Sequence, residues 1–262
     1  LLPSDVYGTL QACQPDPMLE AKTAGEEGIL IRDGASGATK IKVSFPVIRR
    51  VNIQKTKKNL GSGININYGK KLIDISINDT TVTAHFEDGT SETGSVIIGA
   101  DGGNSQVRRW LLQDLATQEV LPFQFMNFSF SLPAEKALWL DKVMNHNVDV
   151  ATHPKSMYMG LFMLDKPNVD KPETWIFYLL VTWPIETKED EANTDNRMER
   201  LRAKMAGWAD PYKSVVEWLP DDQEIKRDQL RIWHTKPWDS RGGRVTLAGD
   251  AAHRLVRKEF LS

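Results

Sequence analysis

Cysteine is nearly absent: Cys13 stands alone among 262 residues, which excludes an internal disulfide framework and a zinc site built on cysteine. No apolar run approaches the roughly 20 residues that cross a bilayer as a helix. Neither charge sign dominates, with 33 basic against 35 acidic side chains and a formal net charge of −2. The chain therefore carries no electrostatic footprint for nucleic acid or an anionic membrane. Glycine and proline, 18 and 13 residues, are too few for a collagenous or low-complexity chain. An initiating Met is missing, and Leu1-Leu2-Pro3 has neither the basic start nor the apolar run of a signal peptide. The expectation is a segment from the middle of something longer, with the cytoplasm as default location. Against these absences stand 40% apolar and 26% charged residues, the balance of a globular protein able to bury one large core or two smaller ones.

Up to about residue 40 the pattern is poor, with Gln14-Pro15-Asp16-Pro17 and Arg32-Asp33-Gly34 reading as turns. The basic stretch from Arg49 to Leu60 lacks alternation and fits a short helix with Val51, Ile53 and Thr56 inward. From Ile64 the period becomes two: Ile64, Ile66 and Tyr68 alternate with Asn65 and Asn67, and Leu72 to Ile77 carries the next apolar stretch. Thr81 to Phe86 alternates again and closes on Asp88-Gly89, a hairpin signal. Ser95-Val96-Ile97-Ile98-Gly99 is apolar without alternation, as in a strand covered on both faces. Ser105 can cap a following helix with Val107, Trp110 and Leu111 on its apolar side.

The composition then shifts. Phe123 to Leu132, Ser156 to Leu164 and Thr174 to Trp183 read as long strands rich in aromatics and Met, an antiparallel sheet with both faces at least partly covered. Met198, Leu201, Met205 and Trp208 have helical spacing, and Asp210-Pro211 can open another helix that Pro220 stops. Arg244 to Ala248 is a last strand, running into Gly249-Asp250-Ala251-Ala252-His253. The plan is an α/β segment, an aromatic sheet-and-helix excursion, and a return to α/β sequence.

Two turns carry the chemistry. In Ser95 to Arg108 a buried strand meets a glycine turn and a helix start, where unpaired N–H groups and the helix dipole favour an anionic or oxygen-rich ligand. Asp101 sits at the strand's carboxyl end, and Gly102 and Gly103 permit close backbone approach. In Arg244 to His253 the same logic recurs: strand, Gly249, then Asp250, with Ala251 and Ala252 leaving room beside the backbone. Either turn alone is better explained as an ordinary strand, turn and capped helix.

Taken together and in this order, the two turns resemble the flavoprotein aromatic hydroxylases related to para-hydroxybenzoate hydroxylase. Phe45-Pro46-Val47-Ile48-Arg49-Arg50 is similar to that family's Pro-x-Ile-x-Arg element, and the likeness runs from about Phe45 to His253. What the resemblance implies is a mixed α/β (α+β) fold: a partial, Rossmann-like FAD-binding domain with an inserted antiparallel-sheet substrate domain. It implies FAD-binding residues 1–118, a substrate domain over 119–236 and a return over 237–262. By the same resemblance Asp250 would hold the ribityl chain of FAD, with Gly249 and Ala251 in that turn. Arg50 would approach the flavin, with Arg49 as the alternative register. Asp101, Gly102 and Arg108 would frame the pyrophosphate side. The implied activity is a monooxygenase that takes NADPH or NADH as reductant and O2 as co-substrate. Through a C4a-hydroperoxyflavin it would hydroxylate an aromatic or polyketide-like small molecule, in secondary metabolism or aromatic catabolism. A non-catalytic remnant of such an enzyme, or a flavoprotein oxidase, halogenase or reductase, stays open as the alternative.

Two features depart from that family. Its opening Gly-x-Gly-x-x-Gly turn is missing; Gly61-Ser62-Gly63 comes nearest, lacks the third glycine and reads as a loop. After His253 the chain runs into Arg254 to Ser262 instead of a Pro- and Gly-rich stretch, so truncation at both ends is expected. Other residues take ordinary readings. His85 is a strand residue, and His146, His153, His234 and His253 show no paired metal spacing, so no metal site is assigned. Cys13 has no acid–base partner in view, and Glu189-Asp190-Glu191 and Asp221-Asp222 read as solvated loops. No catalytic base is named. The 8 Trp and 8 Met residues suit a core and, in the middle segment, an apolar pocket for a flat substrate.

Overall fold

The aromatic segments after Leu121 form the longest strands, as a two-residue side-chain period requires. The computed structural model describes residues 2–3, 20–21, 29–43, 48–51, 61, 64–144, 148–186, 196–225 and 228–254. Along the chain the first strands are β1 (Leu2–Pro3), β2 (Glu20–Ala21), β3 (Ile29–Asp33), β4 (Thr39–Val43) and β5 (Ile48–Val51). Next come β6 (Leu72–Ile77), β7 (Val82–Phe86), β8 (Ser91–Gly94), β9 (Ile97–Gly99) and helix α1 (Gln106–Leu112). Then follow β10 (Glu119–Phe130), α2 (Ala134–Val143), β11 (Val148–His153), β12 (Met157–Asp165) and β13 (Ile176–Pro184). Helices α3 (Arg197–Met205) and α4 (Tyr212–Trp218) and strands β14 (Asp228–Ile232) and β15 (Val245–Leu247) complete the order. The fold is mixed α/β, as expected.

The described residues divide into a larger unit, from Leu1–Ile64 and Pro122–Asp228, and a smaller one, from Asn65–Leu121 and Gln229–Phe260. On the N-terminal side, β3 and β4 belong to the same unit as the middle segment. The reason is strand pairing: β3 lies parallel to β11, and β4 lies antiparallel on β3. The resulting sheet has the order β14-β10-β13-β12-β11-β3-β4.

In the larger unit β10, β13, β12 and β11 are antiparallel neighbours. One face of β13, made of Phe177, Leu179, Val181 and Trp183, is buried with Met159, Leu161 and Met163 of β12 against α2, α3 and α4. The opposite face, with Tyr158 and Phe162 from β12 and Tyr178 and Leu180 from β13, is half-buried. Within the core lies a polar cluster. Asp149 on β11 is fully buried, accepts from Arg32 Nε at 2.6 Å and from the Tyr212 hydroxyl, and Arg32 Nη2 donates to the Val143 carbonyl at 3.0 Å. Burial pushes the Asp149 carboxyl above the ordinary carboxylate value, while the Tyr212 bond and Arg32 pull the other way. The Gly34 turn packs on Trp208: a Cβ there would stand 2.6 Å from the indole ring.

In the smaller unit β6, β7 and β8 form an antiparallel meander, and β9 and β15 a parallel pair. Val107 and Leu111 of α1 join Ile75, Val82, Val245 and Leu247 in one core. Ser105 caps α1 as expected, its Oγ accepting from Arg108 N at 2.9 Å. Three local expectations are corrected. Residues 64–68 are irregular, with Tyr68 83% exposed, because no described strand pairs with them and alternation without a partner buries nothing. Ile48–Val51 is a strand paired with β1 and β2, in place of the first turn of the expected helix, whose remainder lies outside the described residues. β9 is covered on one face: Gly99 is buried, but Val96 and Ile98 are 51% and 63% exposed, since β9 has a neighbour in β15 and a helix on one side.

Candidate functional site

Parallel pairing brings the two turns to one edge of the smaller unit. Val245 matches Ile97, Thr246 matches Ile98 and Leu247 matches Gly99, and Ala248 N donates to the Gly99 carbonyl at 2.9 Å. Both strands therefore end on the same side, with Asp101 and Asp250 just beyond their carboxyl ends. In α/β sheets that edge is where ligands bind.

The Asp101 turn is closed on itself. Asp101 Oδ2 accepts from Gln106 N at 2.7 Å and from Val107 N at 3.3 Å, and Arg109 N donates to the Ser105 carbonyl at 3.3 Å. With the Ser105 Oγ bond, the first-turn amides of α1 have partners within the chain. The expectation that these amides await an anionic ligand is thus corrected. The chain supplies the anion itself, where unpaired donors and the dipole favour one.

Beside this closed cap the turns are open. Gly102 and Gly249 have φ of 76° and 59°, in the left-handed region that favours glycine, and a Cβ built on either meets nothing within 4 Å. Asp250 is exposed, and its carboxylate has no hydrogen bond or ion pair with another described residue. The turn is held by Ala252 N and His253 N, which donate to the Gly249 carbonyl at 2.9 and 3.0 Å. Gly103 is different: a Cβ there would come within 2.8 Å of the Arg254 side chain, so the close approach at this glycine is made by the chain itself.

Arg108 is fully buried beneath both turns. Its Nη1 donates to the carbonyls of Ala251 at 2.9 Å and Asp250 at 3.3 Å, and its Nη2 to that of Gly103. The guanidinium lies over the Trp233 ring, 4.7 Å from its centroid. Burial first, and Arg254 second, lower its pKa from the usual arginine value, while Asp101 opposes them. Arg254 Nη1 donates to Asn104 Oδ1 at 3.1 Å and to Gln118 Oε1, and Gln118 Nε2 donates to the Gly103 carbonyl at 2.8 Å.

Asp101, Gly102, Arg108, Gly249, Asp250 and Ala251 thus gather in the smaller unit. Arg50 belongs to the larger one, in β5, opposite Ala21 of β2, and β5 packs there against β12. Sequence reasoning missed Trp233, Gln118 and Arg254. A lone Trp after a strand reads as core, and nothing in local spacing ties these residues to a turn far away in the chain.

On the half-buried face of the larger unit, Phe162 and Tyr178 are cross-strand partners with ring centroids 6.2 Å apart. Tyr158 faces Thr182 across β12 and β13, and burial pushes the Tyr158 hydroxyl up. The Thr182 Oγ1 is buried without a hydrogen-bond partner among the described residues. Among those residues no helix is long and apolar enough to cross a membrane.

The family profile described as FAD binding domain matches residues 55–257. The FAD-dependent monooxygenase phnB of Penicillium herquei is 30% identical over 265 residues, covering 97% of this chain; the chain spans 63% of that relative's length. The fold is similar to that of 2,6-dihydroxypyridine-3-hydroxylase from Arthrobacter nicotinovorans, with a TM-score of 0.71 at 17% identity over 97% of this chain and 66% of that one. It is also similar to Klebsiella pneumoniae HpxO, solved with FAD and uric acid, with a TM-score of 0.65 at 19% identity over 94% and 59% of the two chains.

Proposed function

Since this chain belongs to the FAD binding domain family, we propose that its smaller unit holds FAD at the Asp101 and Asp250 turns and that the protein acts as a FAD-dependent monooxygenase. The observation that carries this reading is the parallel pairing of β9 with β15, which puts two aspartate-bearing glycine turns side by side. The open space at Gly102 and Gly249 is of the kind a ligand backbone enters, and Asp250 has acceptor oxygens free for ligand hydroxyls. Bound FAD would supply the redox chemistry, accepting reducing equivalents from NADPH or NADH and activating O2. The chain's own residues orient and shield. Asp250 would accept from the ribityl hydroxyls, and the Gly102 turn would give backbone access beside the diphosphate.

The substrate is an aromatic or polyketide-like small molecule, placed on the half-buried face of β12 and β13. Phe162 and Tyr178 offer flat apolar area there, and Thr182 Oγ1 a hydrogen bond. A role in secondary metabolism or aromatic catabolism is part of the same proposal.

The test is FAD uptake followed by flavin fluorescence, then substrate-dependent NADPH oxidation with labelled O2. Tight uptake that Asp250→Ala weakens, and one labelled oxygen in the product, is the expected outcome. Protein that stays colourless in excess FAD sinks the reading. A non-catalytic remnant is the second reading, favoured by the α1 amides already being bonded to Asp101 and Ser105, which leaves them no diphosphate to bind. Equilibrium dialysis separates the two.

A further inference from the structure

We propose that Arg108 is a positioning residue, which fixes the Asp250–Ala251 peptide against the Gly103 turn and so sets the direction in which the Asp250 carboxylate faces a ligand. The inference rests on the FAD reading only for the identity of that ligand. Arg108 is fully buried and has no open face toward one. Its donors go to main-chain carbonyls: Gly103, five residues away, and Asp250 and Ala251, 142 and 143 residues away. The Asp101 carboxylate, whose field reaches Arg108, is itself bonded to the α1 amides.

A buried cation held by carbonyls and an indole face, without a carboxylate partner among the described residues, is costly to desolvate. An apolar side chain would fill the space over Trp233 without that cost, but would take the Arg108 donors from the Asp250 and Ala251 carbonyls, leave Gly103 to Gln118 alone and untie the two turns. The guanidinium is planar, with donors in a rigid fork. Bonded on both turns, it fixes their relative placement as a point charge on a flexible stem does not. Arg108 Nε is buried with no partner among the described residues, so the side chain gives up one bond to hold its plane for the others. The carbonyls it holds lie on both sides of the Asp250–Ala251 peptide bond. A swing of that peptide carries the Asp250 Cα with it, and the carboxylate follows. Trp233 supports the same clamp, its Nε1 donating to the Leu115 carbonyl at 2.8 Å.

Two measurements decide the matter. In the ligand-free chain, amide hydrogen exchange is followed at Ala252 and His253, whose N–H groups close the Asp250 turn on Gly249. With Arg108→Gln or Arg108→Lys, exchange there is expected to be about tenfold or more faster, with the amides of β12 and β13 unchanged. Unchanged exchange at Ala252 and His253 overturns the proposal. The second measurement is the FAD dissociation constant in a double-mutant cycle of Arg108→Lys with Asp250→Asn. Arg108→Lys should weaken FAD about tenfold or more in the otherwise unchanged chain, and little further in the Asp250→Asn background. Equal losses in both backgrounds overturn it, because support of the fold alone does not depend on Asp250. A chain that takes up no FAD defeats the FAD reading, and hydrogen exchange still decides the role of Arg108. Unfolding of both Arg108 variants while Asp250→Asn stays folded assigns Arg108 to stability, and the proposal falls.

Discussion

The two units treat their carboxylates in opposite ways. In the larger, Asp149 is sealed in a core and bonded on both oxygens, to Arg32 and to Tyr212. In the smaller, Asp250 stands exposed on a turn, without a partner among the described residues, while the buried charge, Arg108, lies beneath it on main-chain carbonyls. A carboxylate whose bonds are all made inside the protein contributes to packing and orientation. One left open at a strand end is available to something that binds. Burial of charge therefore marks scaffold in both units, and the exposed polar group above the scaffold marks the candidate site.

Substitutions can break or sharpen that contrast. The largest effect is expected from Asp149→Ala, which leaves the part-buried Arg32 and the buried Tyr212 hydroxyl without their acceptor. Stability should fall by about 3–5 kcal/mol in urea unfolding followed by tryptophan fluorescence. A loss below about 1 kcal/mol would show that the cluster behaves like a surface pair. Gly34→Ala comes next. Its methyl would meet the Trp208 ring, and a loss of about 1–3 kcal/mol is expected in the same assay.

The pH dependence of Asp149 has a definite sign. Its folded pKa lies above the ordinary 3.8, so between that value and the raised one the folded state holds a proton that the unfolded state has released. Stability contributed by this group is therefore full at low pH and declines as pH rises through the raised value. Asp149→Asn should flatten that decline across the window, read from urea midpoints at successive pH values. A slope unchanged by the substitution would remove Asp149 as its source. The smallest stability effect belongs to Asp250→Ala, within about 0.5 kcal/mol for an exposed side chain without partners among the described residues. A loss comparable with that of Asp149→Ala would erase the contrast between the units.

What could be read in advance followed from local rules. The alternation in Thr174 to Trp183 placed Phe177, Leu179, Val181 and Trp183 on one face, and they are buried together. Asp88-Gly89 turns between β7 and β8, with Gly89 at φ 82°, and Ser105 caps α1. Strands β3, β4 and β11 and helix α2 went unread. In β4 Ile41 and Val43 alternate with Lys40 and Lys42 over only five residues, and Ile41 is 53% exposed, while β11 carries Asp149 amid Val148, Val150 and Ala151. Its charge is tolerable only because Arg32 and Tyr212 arrive from remote parts of the chain. Val96 and Ile98 misled in the other direction, since an apolar run states a preference for burial, and whether anything covers it depends on neighbours.

The sequence alone determined the side-chain periods, the caps, the glycine turns and the aspartates that follow two strands, because each depends on residues within a few positions of one another. Only the tertiary structure decided that those strands pair in parallel, that the α1 amides are bonded by Asp101 and that Arg108 lies under the turns. The strand pairing and the place of Arg108 depend on contacts between residues more than 140 positions apart. Such contacts form only when folding closes the long loops between them, and no local pattern encodes which partner will be there.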